Sequence, residues 1–166
     1  MKQMIWSDEK METDTKVEYC SDMIGLYKGK LVLVERLTFP QGYALPGGRR
    51  KWQENDKCQK ELEDVRDCAL REFKEETGLD LIIEGGLGVY DNPGRDPRGL
   101  KISNVVYGKA HGSIRNEFGK TRILLIDLVD VDNYSDAFAF DHYQIIKDWR
   151  EKFSKNKINK TKNTGG

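Results

Sequence analysis

The feature that most constrains the fold of this chain is a long stretch, residues 51–77, that contains neither proline nor glycine. Its apolar residues recur at intervals of three and four, which predicts an amphipathic helix: Leu62, Val65, Ala69 and Phe73. Asn55 or Asp56 is a candidate cap for the start of this helix, since both side chains can accept hydrogen bonds from free backbone N–H groups. Gly78 follows directly, at the position where helices commonly end on a left-handed residue.

Runs of strand-forming residues lie on both sides of this helix. Before it, two apolar runs around a short turn at Gly29 predict a hairpin: SDMIGLY and LVLVERL. After it come two runs that we expect to pair, LDLIIEGG and GLGVY, and then two further strands, LKISNVVYG and TRILLIDLV. The segment FDHYQIIKDWREKF predicts a closing helix, whose apolar face holds Ile145, Ile146, Trp149 and Phe153. Strands and helices mix without strict alternation, so we expect a mixed sheet covered by helices in one α/β or α+β domain.

The length and the balance of charge fit a single soluble domain. The chain has 166 residues, enough to bury a sizeable core. Its 28 basic and 28 acidic residues cancel, so no net field attracts it to nucleic acid or to a membrane surface. We place the domain at residues 17–153, after an N-terminal extension of residues 1–16. Residues 154–166 are rich in Lys and Asn and hold no acid, and we expect a disordered basic tail there.

The N-terminus and the cysteines indicate a cytoplasmic protein. The first residues are too charged for a secretory signal, and no apolar run is long enough to span a membrane. The 3 cysteines lack CxxC spacing, which favours reduced thiols over disulfides or a zinc site. We expect His111 and His142 to be structural rather than catalytic.

Three glutamates crowd the end of the predicted helix, in the sequence REFKEETGL. On a helix, Glu72 and Glu76 lie one turn apart and Glu75 lies beside both. Their like charges repel one another, and a hard divalent cation such as Mg²⁺, which prefers oxygen ligands, would relieve that repulsion. Arg71, four residues before Glu75, can orient that carboxylate through a charge-assisted hydrogen bond. The alternative is an ordinary glutamate-rich helix surface in water.

The glycines around the cluster favour the metal site over this alternative. Gly78 follows the cluster and LPGG precedes the helix, and a glycine backbone can approach a phosphate closely. Together, LPGG and REFKEETGL resemble the Nudix box, G-x5-E-x7-R-E-U-x-E-E-x-G-U, where U is a bulky apolar residue. The back half matches at every specified position. Before it, nine residues are in excess, NDKCQKELE, and we expect them to lengthen the helix or the loop that leads into it.

Two alignments are possible for the glutamate in the front half of this box. Counted forward from Gly48, the specified glutamate is Glu54; counted backward from Arg71, it is Glu63. We prefer Glu54, because on a continuous helix Glu63 would point about 180° away from Glu72.

The resemblance implies an α/β/α sandwich built on a mixed sheet, and hydrolysis of a diphosphate linked to another moiety with Mg²⁺ or Mn²⁺. It assigns the metal to Glu72, Glu75 and Glu76, and it gives Arg71 the role of orienting them. The general base would be Glu72 or Glu76, with Glu117, on a later loop, as an outside candidate.

A second resemblance concerns the substrate. The loop and strand YDNPGRDPRGLKISNVVYG, the segment AFAFDHYQII and the opening VLVERLTFPQGYALPGG are similar to those of ADP-ribose pyrophosphatases. The resemblance implies a set of substrate-binding residues: Gly47, Gly48, Arg95, Asp96 and Arg98. The arginines can donate to phosphate oxygens, and Asp96 can accept from ribose hydroxyls or fix an arginine. The alternative is a structural Arg–Asp pair in a tight turn. One position departs from the subgroup, because FGKTR replaces the acidic pair expected before the last strand.

These resemblances lead us to expect a small nucleotide diphosphate substrate, no nucleic-acid or membrane partner, and a homodimer. The leading hypothesis is hydrolysis of ADP-ribose to AMP and ribose 5-phosphate. Two alternatives stay open: a Nudix pyrophosphohydrolase acting on nucleoside triphosphates or another nucleotide-sugar, and a non-catalytic ADP-ribose-binding regulator. The aromatic residue that stacks on the base is open among five candidates: Trp6, Phe39, Tyr43, Trp52 and Tyr90.

Overall fold

The computed structural model describes residues 16–115 and 121–162, with side chains as far as residue 154. These residues form nine strands, two α-helices and one 3₁₀-helix. The strands are β1 (Glu18–Tyr27), β2 (Lys30–Arg36), β3 (Gly42–Ala44), β4 (Gly47–Arg49), β5 (Trp52–Glu54), β6 (Lys60–Leu62), β7 (Leu79–Tyr90), β8 (Lys101–Gly112) and β9 (Thr121–Ile126). The helices are α1 (Val65–Thr77) and α2 (His142–Lys162), with the 3₁₀-helix Val131–Ala137 between β9 and α2.

Seven of these strands form one mixed sheet. Its main order is β3-β2-β1-β8-β7, while β4 also pairs with β1 and β9 with β2. β1 and β8 run parallel along their whole paired length, and the other neighbours in the sheet are antiparallel. β1 and β2 are the hairpin predicted around Gly29. The mixed sheet expected from the sequence is therefore confirmed.

Helices cover both faces of the sheet. Neighbouring residues of a strand point to opposite faces, so Met23 packs under α1 while Ile24 packs under α2. The core under α1 also includes Val32, Ala69, Phe73, Leu79, Leu81 and Val106. The core under α2 includes Leu31, Leu33, Val105, Ile145, Ile146 and Trp149, with Phe153 packed against it. The predicted apolar face of the last helix is the face that meets the sheet, and the α/β/α arrangement is confirmed.

The long helix begins later than the sequence suggested. α1 starts at Val65, and Asp64 caps it by accepting a hydrogen bond from the Arg66 N–H to its Oδ1 at 2.8 Å. The prediction of a cap at Asn55 or Asp56 is wrong. The prediction for the other end is confirmed, because the helix stops at a glycine with φ of 74°.

A separate hairpin occupies the segment before α1. β5 and β6 pair only with each other among the described strands, and most of the nine excess residues lie in this hairpin. At its tip, Asn55 Oδ1 accepts hydrogen bonds from the N–H groups of Lys57 and Gln59, both at 3.0 Å. Such a side chain offers the backbone an alternative to helical bonding, which explains why a segment free of proline and glycine is not helical here.

One bulged strand replaces the predicted pair LDLIIEGG and GLGVY. β7 follows β8 from end to end, with register shifts between Ile83 and Gly85 and between Gly86 and Gly88. The glycines therefore mark bulges within one strand instead of a turn between two.

α2 extends past the predicted domain end at residue 153. The helix continues to Lys162, through nine residues that the sequence assigned to a tail, while residues 163–166 lie outside the described part. Disorder of those last residues stays a prediction. The N-terminal extension lies outside the described part too, apart from residue 16. No helix in the described ranges is long and apolar enough to cross a membrane.

Candidate active site

Arg71 of α1 donates to three glutamates, two on the helix and one just before its start. Its Nε and Nη2 donate to the two carboxylate oxygens of Glu63 at 2.8 and 2.7 Å. Its Nη1 donates to Glu72 Oε1 at 2.6 Å and to Glu75 Oε2 at 3.3 Å. Its Nη2 also donates to the carbonyl oxygen of Arg49 at 3.1 Å, which joins the helix to β4. The predicted contact between Arg71 and Glu75 is present, as one part of a larger network.

Glu63, and not Glu54, is the glutamate that meets this arginine. Glu54 lies exposed on β5, whereas Glu63 is only 6% exposed. The preference for Glu54 is wrong because it assumed a helix running through residue 63. The helix begins after Glu63, so its turn does not carry that side chain away from Glu72. The hydrogen bonds from Arg71 lower the pKa of Glu63 to about 2.

β4 brings two glycines against the glutamates of α1. The N–H of Gly47 donates to Glu76 Oε2 at 3.0 Å. A Cβ at Gly48 would lie 2.2 Å from the carboxyl carbon of Glu72, so any other residue would displace that carboxylate. The close approach of backbone and carboxylates thus requires glycine at this position.

Each of the three box glutamates keeps one carboxylate oxygen free of hydrogen bonds from the described residues. Arg71 and Gly47 occupy Glu72 Oε1, Glu75 Oε2 and Glu76 Oε2. The opposite oxygen of each carboxylate remains, which makes three oxygen donors of the kind that a hard divalent cation prefers. In the described part of the chain, no three acidic, histidine or cysteine side chains are positioned to hold a metal ion together. The donor set fits a divalent cation in chemistry, and all three side chains come from the C-terminal part of α1.

The charge around Glu76 supports this fit. Burial raises its pKa to about 8, the Gly47 N–H opposes that rise, and the negative charges of Glu72 and Asp22 add to it. Local cations thus do not outweigh the burial of Glu76, and a bound cation would stabilise its ionised form.

A cavity of about 320 Å³ opens beside Glu76, the box glutamate that reaches its wall. All five predicted substrate-binding residues line it: Gly47, Gly48, Arg95, Asp96 and Arg98. The two sequence segments that carry the resemblances, far apart in the chain, therefore meet at one cavity.

The two arginines of the PGRDPRG loop have different partners. Arg95 is buried and donates to both oxygens of Asp141, at 3.0 and 2.8 Å, and to Asp22 Oδ2 at 3.4 Å. These bonds commit the guanidinium of Arg95 to carboxylates outside the loop. The Arg–Asp pair within the turn, which was the structural alternative, is Asp96 with Arg98. Asp96 accepts two side-chain bonds from Arg98, at 3.0 and 2.8 Å, so it takes the second of its two predicted roles and fixes an arginine.

Sequence reasoning missed several residues of the cavity wall, among them Arg36 and Phe140. The guanidinium carbons of Arg36 and Arg98 lie 5.2 and 5.1 Å from the centre of the Phe140 ring, so one ring carries two cations. Arg36 donates to the carbonyl oxygen of Pro40 at 2.8 Å and has no carboxylate partner among the described residues. Burial and the charge of Arg98 lower its pKa. An anion between the two guanidinium groups would relieve their repulsion.

The sequence holds a clue to the position of Arg36 but none to that of Phe140. Arg36 follows an apolar run at the end of β2, so its charge was a clue in the sequence. Phe140 could not be found that way, because its place depends on a backbone φ of 60°, which is rare for a residue other than glycine. Phe140 is the only Phe, Tyr or Trp among the described residues lining the cavity, and none of the predicted aromatic candidates that are described lines it. Trp6 and the outside candidate Glu117 lie beyond the described ranges.

A buried polar network behind the cavity joins β1, β8 and α2. Ser103 donates to Asp22 Oδ2 at 2.6 Å, and His142 Nε2 lies 3.5 Å from the same oxygen. The Leu45 N–H donates to His142 Nδ1 at 2.9 Å. His142 thereby fixes the loop that leads to Gly47, in keeping with the structural role expected for it.

Comparison with known sequences agrees with these motifs. Residues 22–149 match the family model described as NUDIX domain. Over 123 residues the chain is 37% identical to a curated ADP-ribose pyrophosphatase of Methanocaldococcus jannaschii. The match covers 72% of this chain and 65% of the relative, so the chain spans just under two thirds of the relative's length.

Comparison with solved structures gives the same fold. A bifunctional NMN adenylyltransferase/ADP ribose pyrophosphatase from Francisella tularensis, solved with AMP and a Mn ion, matches with a TM-score of 0.68 at 25% identity, over 83% of this chain and 42% of that one. The NUDIX domain of Shewanella oneidensis NrtR, solved with ADP ribose, matches with a TM-score of 0.66 at 24% identity, over 83% of this chain and 89% of that one. At that identity, the second likeness shows the fold alone.

Proposed function

Since the chain belongs to the NUDIX domain family, we propose that it is a metal-dependent pyrophosphohydrolase that converts ADP-ribose to AMP and ribose 5-phosphate. The observation that carries the proposal is that Glu76 and Arg98 line the same cavity. Glu76 belongs to the segment associated with diphosphate hydrolysis, and Arg98 to the segment that resembles ADP-ribose pyrophosphatases. The name of the Methanocaldococcus jannaschii relative supports the same substrate.

We assign Mg²⁺ (or Mn²⁺) to Glu72, Glu75 and Glu76, each of which has a carboxylate oxygen that accepts no hydrogen bond from the described residues. Arg71 holds the first two carboxylates and Gly47 holds the third. When bound, the cation would neutralise charge on the diphosphate and lower the pKa of a water molecule. The Mn ion in the Francisella structure with AMP fits this assignment.

Arg36 and Arg98 are the cations that we assign to the diphosphate. Both lie on the Phe140 ring, and guanidinium groups bind phosphate oxygens through paired N–H donors. Arg95 takes a different part in this scheme, because its bonds to Asp141 hold the loop that carries Arg98 against the start of α2.

In the proposed reaction, a water oxygen bonds to one phosphorus of the diphosphate. The bond from that phosphorus to the bridging oxygen breaks, and the bridging oxygen leaves with the other phosphate. Glu72 or Glu76 accepts the proton that the water loses, and the choice between them stays as open as the sequence left it. Each product, AMP or ribose 5-phosphate, carries one phosphate.

A substrate panel tests the proposal. ADP-ribose, ATP and ADP-glucose would each be incubated with Mg²⁺, with Mn²⁺ and with chelator, and the products identified by chromatography. We expect ADP-ribose to give AMP and ribose 5-phosphate with the highest kcat/KM, and no turnover with chelator. A preference for ATP or for ADP-glucose would assign the chain to the alternative pyrophosphohydrolases. Tight binding of ADP-ribose without hydrolysis in any metal would favour the regulator.

A matched pair of variants tests the site. Glu76→Gln keeps the size of the side chain but removes its charge, and we expect a loss of about 100-fold or more in kcat, because metal stabilisation of the transition state is worth several kcal/mol. Glu61→Gln, on the exposed hairpin, is the control and should turn over like the wild type. Unchanged turnover in Glu76→Gln would refute the site assignment.

A further inference from the structure

A second group of charged side chains lies at the other end of the cavity floor. Alternate residues of β1 point to the same side of the sheet, and Glu18, Cys20 and Asp22 all line the cavity. Asp22 lies opposite Gly47, which holds Glu76. Since each strand residue adds about 3.3 Å, Glu18 lies about 13 Å from Asp22 along the strand. The cavity thus extends from the proposed metal site to the first residues of β1.

Glu18 is held there between two cations. Arg49 Nη1 donates to Glu18 Oε1 at 2.6 Å, and Lys101 Nζ pairs with Glu18 Oε2. The three residues come from adjacent strands, because Glu18 pairs in register with Lys101 on β8, and Cys20 pairs with Arg49 on β4. All three line the cavity. We call Glu18, Arg49 and Lys101 the outer triad.

The outer triad has hydrogen-bonding capacity that the described residues do not use. Each carboxylate oxygen of Glu18 has a second lone pair, and the ammonium of Lys101 has further N–H donors. The side chains of Lys101 and Glu18 are 12% and 19% exposed, while that of Arg49 is 70% exposed, so the ammonium and the carboxylate are the shielded part of the triad. An ion pair held only for stability gains little over apolar residues of the same volume, and the position of this pair in a cavity wall calls for a ligand.

The arrangement of donors and acceptor suits a pair of neighbouring hydroxyl groups. A hydroxyl both donates and accepts, so one hydroxyl can donate to Glu18 while it accepts from Lys101. A phosphate, in contrast, has only acceptors and would be repelled by the carboxylate that stands between the two cations. The triad therefore offers a diol both an acceptor and donors, whereas an anion could use only the donors.

We propose that the outer triad binds the cis-diol of a ribose of the substrate. The inference rests on the proposed function, because it names the part of ADP-ribose that occupies the end of the cavity remote from the metal site. Two riboses carry this chemistry, the one attached to adenine and the terminal one. The triad is thus a specificity element, which separates ribose-containing substrates from their deoxy counterparts.

The test compares ADP-ribose with two analogues, one lacking the 2-hydroxyl of the adenosine ribose and one lacking that of the terminal ribose. For the wild type, we expect kcat/KM to fall by about 10- to 100-fold with one of the two analogues, the range for a lost hydrogen bond to a charged group. The analogue that causes the fall identifies the ribose. In Glu18→Gln, the ratio of kcat/KM for ADP-ribose to kcat/KM for that analogue should fall to about threefold or less, since the charged acceptor is gone.

The control is Glu35→Gln, which breaks a comparable ion pair, with Arg122, outside the cavity wall. It should keep the wild-type ratio. If Glu18→Gln fails to fold because Lys101 loses its partner, the double variant Glu18→Gln with Lys101→Met removes both charges and gives the same measurement. A purely structural triad would lower activity on all three substrates equally, and an unchanged ratio in the variants would overturn the proposal.

A binding measurement separates failure of this inference from failure of the proposed function. Calorimetry in chelator would compare AMP with 2′-deoxy-AMP, and ribose 5-phosphate with its 2-deoxy form. Discrimination in one pair, lost in Glu18→Gln, supports the triad even if the chain hydrolyses no ADP-ribose. Equal affinities within both pairs for the wild type refute the triad even if hydrolysis is observed.

Discussion

Among single residues, Gly48 sets how closely β4 can approach the glutamates of α1. A Cβ there would lie 2.2 Å from the carboxyl carbon of Glu72, and Arg71 holds that carboxylate at 2.6 Å. We expect Gly48→Ala to displace the carboxylate and to lower kcat/KM for ADP-ribose by about 100-fold, the effect of a misplacement of about 1 Å. The melting temperature should change little, because the displaced group is the end of a side chain and the strand keeps its backbone. Steady-state kinetics and a thermal melt give the two readings.

Gly86→Ala is the matched control for this prediction. Gly86 also lies in a strand of the main sheet, but the nearest atom to a Cβ there is the carbonyl oxygen of Val105 at 4.0 Å. Its kcat/KM should stay within about twofold of the wild type. Equal losses in the two variants would show that glycine is needed for the strands in general, and full activity in Gly48→Ala would show that Glu72 has room to move.

The sequence predicted those residues of the site that are close together in the chain. Glu72, Glu75 and Glu76 share a helix end, where spacing alone determines which side chains are neighbours. The role of Arg36 could not be predicted, because its partner is a ring 104 positions later in the chain. Arg95 shows the same limit, since only the fold brings Asp141 within 3.0 Å of its guanidinium.

Among the elements, the β5–β6 hairpin shows where local pattern and local chemistry conflict. The apolar spacing around Leu62 continues that of α1, and this continuity led to a predicted helix over the whole segment. Asn55 and the left-handed backbone of Cys58, with φ of 57°, instead turn the chain back on itself. Propensity and periodicity are weak against such a turn, because the strand pairing satisfies the same backbone groups that a helix would.

The exposed part of this hairpin should be dispensable. Replacing residues 54–60 with Asn-Gly would leave Gln53 and Glu61 as the last pair of the ladder, joined by a turn that two-residue hairpins prefer. We expect kcat/KM to stay within about twofold of the wild type, because no residue of β5 or β6 lines the cavity. Kinetics on the shortened chain measure this directly.

The contrasting variant for the hairpin is Glu63→Ala in the full chain. The backbone bond from Glu63 N–H to the carbonyl oxygen of Lys51, at 2.8 Å, closes the base of the hairpin, and the shortened chain retains it. Glu63→Ala keeps that bond but removes the carboxylate from Arg71, so activity should fall where the shortened chain keeps it. A loss of activity in the shortened chain at an unchanged melting temperature would instead mean that the hairpin reaches the substrate.

In the whole molecule, two buried carboxylates join the layers of the sandwich around the site. Asp22 on the sheet faces His142 of α2 and Arg95 of the PGRDPRG loop, while Glu63 faces Arg71 of α1. Burial would raise the pKa of Asp22, but His142 and the other polar neighbours outweigh burial and lower it to about 2. The hydrogen bonds from Arg71 lower the pKa of Glu63 to about 2 as well.

These low pKa values predict how the stability of the fold depends on pH. Unfolded carboxyl groups titrate at about 4, so in acid the unfolded chain binds more protons than the folded one, and the free energy of unfolding should fall from about pH 5 to pH 2. Above pH 5, the ionised carboxylates make their full contribution to the free energy of unfolding. Urea unfolding at a series of pH values should show Glu63→Gln about 2 kcal/mol less stable at pH 7 and closest to the wild type near pH 2, because protonation removes the same charge there. Glu61→Gln, exposed on β6, should follow the wild-type curve. If Glu63→Gln runs parallel to the wild type down to pH 2, the ionised form of Glu63 contributes nothing to the fold, and the bonds to Arg71 do not stabilise it.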